Sequence, residues 1–162
     1  MNAEELFTRY RELKAELKMV TYQIAHFKGI SESELIDALA FGHNPDEVRV
    51  SGSGTSDKTA KIALNLQDIM KRENTEWYDY LVKRYRELDD EVSFFEFCIR
   101  QLGDKKYYVV MDLLDGELTY DDIASHYKIG RTTVVTYRKE AISMVEKMLK
   151  RREEEQVAFM LS

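Results

Sequence analysis

The sequence predicts an all-α protein, and three observations predict it. Pro45 is the only proline in 162 residues, so little interrupts continuous helix. Apolar residues recur at spacings of three and four through two long stretches. Glycines fall where periodic runs stop: Gly29, Gly42, Gly103 and Gly116 each follow one, at positions where a left-handed backbone meets no Cβ. The architecture this implies is a long N-terminal helical hairpin of coiled-coil type over residues 1–103. Three helices follow in 104–152, and residues 153–162 form a frayed tail.

The first helix runs from Ala3 to about Lys28 behind Asn2, a candidate cap. Its seam is Leu6, Tyr10, Leu13, Leu17, Val20, Ile24 and Phe27, spaced alternately by four and three, and such a seam wants a partner helix. A short helix from Glu32 to about Phe41 opens with Ser31 and Glu34 in capping-box spacing. Residues 43–56 collect Asn44, Pro45, Asp46, Gly52, Gly54 and three serines, the composition of a mobile loop. A long helical region from Asp57 to Leu102 follows, with Glu73-Asn74-Thr75 as a candidate break. Its second half carries the other seam: Tyr78, Leu81, Tyr85, Leu88, Val92, Phe95, Ile99 and Leu102. Two seams of similar length pair most simply with each other, antiparallel; pairing between two copies of the chain is the competing solution. The last region holds a helix from Lys105 to Leu114, a second from Thr119 to about Tyr127 with Thr119 and Asp122 in capping spacing, and a third from Gly130 or Arg131 to about Arg152.

Composition narrows the setting. A charged fraction of 33% and a mean hydropathy of −0.48 predict a soluble, charged protein, and no run of about 18 apolar residues is present to span a bilayer. With Cys98 as the only cysteine there is no internal disulfide, and no N-terminal signal pattern is present, so the expected location is the cytoplasm. A net charge of −6 argues against a nucleic-acid partner until its distribution is counted. Residues 128–152 hold eight basic residues against Glu140 and Glu146, which leaves that segment at +6 and the remainder at −12. Screening over about 8–10 Å makes the local field, not the total, what a phosphate backbone meets.

The stretch from Leu118 to Val134 carries the chemistry. Ile123 and Ala124 fall on the inner face of one helix, and a small residue at Ala124 permits a close crossing. Ile129 plugs the turn, and Val134 with Tyr137 or Ile142 faces back into the core. The face left outward on the next helix holds Arg131, Thr132, Val135, Thr136 and Lys139, with Arg138 at its edge. Arginine or lysine there suits a guanine edge, and threonine methyls suit thymine methyls. A helix start with free amides suits phosphate.

These residues, Ile123-Ala124 followed by Lys128-Ile129-Gly130-Arg131-Thr132-Thr133-Val134, resemble the helix-turn-helix of sigma-factor region 4. More narrowly, they resemble the sigma-like domains of phage-encoded late-gene transcription regulators of the RinA/ArpU type. The resemblance covers about Asp104 to Arg152. It implies a sequence-specific double-stranded DNA-binding protein acting at a promoter or operator, beside RNA polymerase, in a bacterial host. Carried over residue by residue, it implies DNA contacts by Arg131, Thr132, Thr133, Thr136, Arg138 and Lys139. One departure is Lys128, four residues after Ala124, where such turns often hold glycine; a left-handed lysine costs about 1 kcal/mol.

Other signals point away from catalysis. In Ser51-Gly52-Ser53-Gly54-Thr55-Ser56-Asp57-Lys58-Thr59, Asp57 stands where a phosphate-binding loop needs glycine. His26, His43 and His126 have no ligand spacing, so no metal is expected. Asp89-Asp90-Glu91 and Asp121-Asp122 splay along helices instead of converging. Trp77, Phe94-Phe95 and Tyr107-Tyr108 fit core or seam positions better than base stacking. No enzyme activity and no cofactor are expected. The heptad-bearing half is expected either to form a homodimer or to contact RNA polymerase; dimerisation is attractive because one small helix-turn-helix reads too few bases for strong selectivity. The alternatives are a small terminase-type packaging subunit and a helical protein-interaction adaptor without DNA affinity.

Overall fold

A computed structural model describes residues 1–35 and 55–162, with side chains described for residues 1–35, 66 and 68–162. The described chain is all-α. The long helices are α1 (Ala3–Ala25), α2 (Thr55–Arg100), α3 (Asp104–Asp115), α4 (Tyr120–Tyr127) and α5 (Arg131–Leu161), and residues 32–35 are also helical. None of these helices is long and apolar enough to cross a membrane. The chain divides into two compact units, Met1–Met19 with Arg86–Ser162, and Val20–Tyr85.

Helix starts follow local chemistry. Asn2 Oδ1 accepts from the Glu5 amide at 2.8 Å while the Asn2 amide donates to Glu5 Oε2 at 3.0 Å, a reciprocal box that satisfies two orphan donors. Ser31 and Glu34 do the same, and these bonds hold the Glu34 carboxyl below its ordinary range. Three boundaries differ from the sequence reading. Helix α1 stops at Ala25, three residues early, and α2 passes through Glu73-Asn74-Thr75 without a break. The Thr75 hydroxyl donates to the Lys71 carbonyl at 2.8 Å, which keeps this polar residue inside the helix. Residues 153–161 are helical and not a frayed tail, because α5 runs on to Leu161. Of the expected loop over 43–56, Thr55 and Ser56 belong to α2, while 43–54 lie outside the described residues, as do Gly42 and the expected helix end at Phe41.

Within the first unit, the start of α1 lies against the end of α2. Tyr10 packs on Phe95 with ring centroids 5.2 Å apart, and Phe7 meets the same ring edge-on at 6.1 Å. Leu6, Tyr10 and Leu13 from one seam and Leu88, Val92, Phe95 and Ile99 from the other are all buried. A polar clamp closes this contact: the Tyr10 hydroxyl donates to Glu96 Oε1 at 2.6 Å, and Lys14 Nζ donates to both, at 2.8 Å and 3.0 Å. Burial, reinforced by the bond to Glu96, drives the Tyr10 hydroxyl far up, so it stays protonated and donating. Burial also pushes the Glu96 carboxyl up, but the bonds from Tyr10 and Lys14 outweigh it and hold the group below its ordinary range. Cys98 is fully buried, and desolvation raises its thiol to about 11, so it behaves as an apolar core residue.

Within the second unit, Phe27 meets Tyr78 edge-on at 5.2 Å. Gly29 turns the chain there with φ +76, and a Cβ at this position would sit 2.8 Å from the Asn74 side chain. Asn74 Oδ1 accepts from the Ile30 amide at 2.6 Å, so a residue that reads as a helix breaker instead anchors the turn.

Two measurements test these placements. Gly29→Ala is expected to destabilise the protein by more than about 1 kcal/mol in urea unfolding, from left-handed strain plus the clash with Asn74; a neutral result contradicts the close approach. The folded Glu96 carboxyl ionises at lower pH than the unfolded one. Its contribution is therefore complete above the ordinary carboxylate range and lost as pH falls below it. Between about pH 5 and about pH 3 the unfolding midpoint of the native protein is expected to fall more steeply than that of Glu96→Gln. Parallel slopes contradict the clamp.

Candidate nucleic-acid interface

Helices α3, α4 and α5 pack on one another around Val109, Ile123, Ala124 and Val134, with Leu113, Tyr120, Tyr127, Ile129 and Tyr137 closing the cluster. Ala124 is buried at the crossing, where its small side chain lets α5 approach. Two polar ties fix the angles. Tyr127 donates to Asp112 Oδ2 at 2.5 Å, and burial with that bond raises its hydroxyl to about 12. Lys106 Nζ donates to Glu140 Oε2 at 2.6 Å, linking α3 to α5.

Helix α4 is short, and both its ends are built. Thr119 Oγ1 accepts from the Asp122 amide at 3.2 Å; the Thr119 hydroxyl at 2.8 Å and then the Thr119 amide at 3.2 Å donate to Asp122 Oδ2 and draw that carboxyl below its ordinary range. At the other end Lys128 adopts φ 54, ψ 46, and no other described non-glycine residue has a positive φ. Its amide donates to Ser125 O at 3.3 Å, and the next amide, Ile129, donates to Ala124 O at 3.0 Å. That pair of bonds with a left-handed residue is a Schellman closure, and the Ile129 side chain completes it by packing on the core beside Ala124. Gly130 does not share the strain: its φ −74, ψ 153 is extended, and a Cβ there would make ordinary contacts.

The turn fixes where α5 begins and which side it shows. Val134, Ala141 and Val145 point inward and are buried. Ile142, an alternative inward residue on sequence grounds, is only half-buried, while Tyr137 does pack on the core. Thr132, Thr136 and Lys139 are exposed on the opposite side, and Thr133 and Val135 flank it half-buried. The Thr136 hydroxyl donates to Thr132 O at 2.9 Å, which occupies its proton within the helix. Arg131 stands at the helix start, 65% exposed, with a long 3.5 Å contact to Asp121 and the Tyr120 ring 5.9 Å away. Both partners are so exposed that this pair holds the guanidinium weakly.

Arg138, expected at the edge of the outward face as a DNA contact, is engaged within the chain. It donates to Glu4 Oε1 at 2.7 Å and lies over the Phe7 ring at 4.9 Å, with its side chain 29% exposed. At 3.6 residues per turn it falls on the α1 side of α5, well away from Thr136. The outward line extends further than sequence reasoning took it. Ser143, Lys147 and Lys150 are exposed and continue Thr132, Thr136 and Lys139 at spacings of three and four. The signal was present in that spacing, but it competed with the apolar periodicity on which the helix was read. From Thr132 to Lys150 the line spans about 27 Å. Hydroxyls, methyls and ammonium groups along it can donate to acceptors and touch apolar groups. Among the described residues no cluster of acids, histidines and cysteine has the arrangement of a metal site.

Removing the left-handed strain with Lys128→Gly is expected to stabilise the protein by about 1 kcal/mol in urea unfolding; a loss of stability contradicts the φ of this residue. Arg138→Ala is expected to cost about 1 kcal/mol through the lost ring contact and ion pair, while Lys139→Ala stays within about 0.5 kcal/mol. Equal costs contradict their placement on different sides of α5. No family model, curated protein or solved structure matches this chain.

Proposed function

We propose that the chain is a sequence-specific double-stranded DNA-binding transcription regulator, of the sigma-like kind that acts on phage or prophage late genes beside RNA polymerase. In this reading α5 enters the major groove by its first turns and α4 lies across the backbone. The observation that carries it is the exposed line Thr132, Thr136 and Lys139, led by Arg131, on a helix whose opposite side is locked into a three-helix core. Arg131 and Lys139 supply donors for guanine edges, and Thr132 and Thr136 supply methyls for thymine. Lys147 and Lys150 supply charge for backbone phosphates further along the same side. Arg138 acts by holding α5 to α1 and not by touching a base. Thr133, half-buried, contributes at the helix start.

Genome-wide footprinting names the target, and fluorescence anisotropy on that duplex tests the roles. Arg131→Ala and Lys139→Ala are each expected to weaken specific binding by about tenfold or more without lowering stability. Lys147→Ala is expected to weaken binding to any duplex alike and to shrink the salt slope by about one. Folded protein with no salt-sensitive duplex binding overturns the proposal in favour of a protein-interaction adaptor. Rings of eight or more subunits favour a small terminase-type packaging role.

A further inference from the structure

The apolar residues that end α5 stand exposed beyond the point where Arg152 lies over the Phe94 ring. Residues 151–162 are all exposed, and the final turns carry Val157, Phe159, Met160 and Leu161 at 54%, 81%, 80% and 83% exposure. Apolar side chains that open on every side of a helix end ask to be covered. The charges say by what. Lys150-Arg151-Arg152 is followed directly by Glu153-Glu154-Glu155. Laid parallel on a second copy, each charge meets its like. Laid antiparallel about Glu153, Arg151 of each copy meets Glu155 of the other.

A seam exists for that pairing. Met144, Met148, Arg151, Glu155 and Ala158 are spaced by four and three, the period of a helix that packs along its length. Met144 and Met148 are half-buried at the root of the arm. Leu149, Arg152 and Gln156 turn the other way, lining a cleft of about 260 Å³ with Leu6 and Phe94, where Arg152 lies 4.8 Å over the Phe94 ring. The Arg151 side of the helix is therefore left for a second molecule.

We infer that the α5 arm pairs antiparallel with the arm of a second copy of this chain. Arg151 faces the partner's Glu155 twice across the twofold axis, and Met148 packs beside the partner's Ala158 and Phe159. The inference stands on the arm alone and does not depend on DNA binding.

Sedimentation equilibrium of the full chain tests it. The native protein is expected to reach twice its 19.1 kDa mass in a concentration-dependent way. Arg151→Glu leaves one chain with two acids at the paired positions, and Glu155→Arg leaves another with two bases. Each alone is expected to self-associate about tenfold more weakly or worse, because like charges then face across the axis. Mixed in equal amounts they are expected to form a heterodimer at native strength. Circular dichroism checks that both variants keep native helix content; a variant that loses it is replaced by removal of residues 157–162, which is expected to abolish the dimer. A native chain that stays monomeric overturns the inference. So does a dimer indifferent to both single reversals, which places the contact elsewhere, or a parallel arrangement, in which reversing Arg151 leaves like facing like as before.

Discussion

The closure of α4 is the constraint on which the interface depends. Two backbone bonds, Lys128 to Ser125 and Ile129 to Ala124, turn the chain through a left-handed lysine and deliver Ile129 onto the core it shares with Ile123 and Val134. The bonds satisfy carbonyls that the end of a helix otherwise leaves open. The buried side chain prevents the turn from opening. Between them they fix the direction in which α5 leaves, and hence which of its residues face outward. The strain at Lys128 is tolerated because hydrogen bonds on one side and apolar burial on the other over-determine the conformation.

Polar groups in the first unit divide into those that fasten and those left open. Tyr10, Lys14 and Glu96 fasten α1 to α2, Lys106 and Glu140 fasten α3 to α5, and Arg138 with Glu4 fastens α5 to α1. No described buried side-chain nitrogen or oxygen lacks a hydrogen-bond partner. Against that background an exposed line of threonines and lysines is not explained by packing, which is why it supports an external partner. The acidic total charge is compatible with this, since residues 128–152 carry +6 and the remainder −12.

The long α5 links the two ends of the reading. Its first turns bear the residues proposed to meet bases, and its last turns bear the charges proposed to meet a second copy. A single rigid helix joining them would set the distance between two reading heads, the quantity that half-site spacing in DNA measures. A self-complementary arm also supplies the second set of base contacts that one small domain lacks.

The sequence by itself determined the helical class, the caps at Asn2, Ser31 and Thr119, and the inward residues Ile123, Ala124 and Val134. Each of these rests on neighbours within about four positions, where helical geometry makes spacing equivalent to direction. It also located the left-handed position at Lys128, because that need arises from the local turn. What only the tertiary structure decided are matters of distant partners. Arg138 belongs to the α1 side because Glu4 and Phe7, more than a hundred residues away in sequence, receive it there. Asn74 is an anchor and not a breaker because the Ile30 amide comes to it. The extent of α5 past Arg152 was hidden for a related reason: its end lacks an apolar stripe, so periodicity gave no direction to a segment whose helical course is continued from the turns before it.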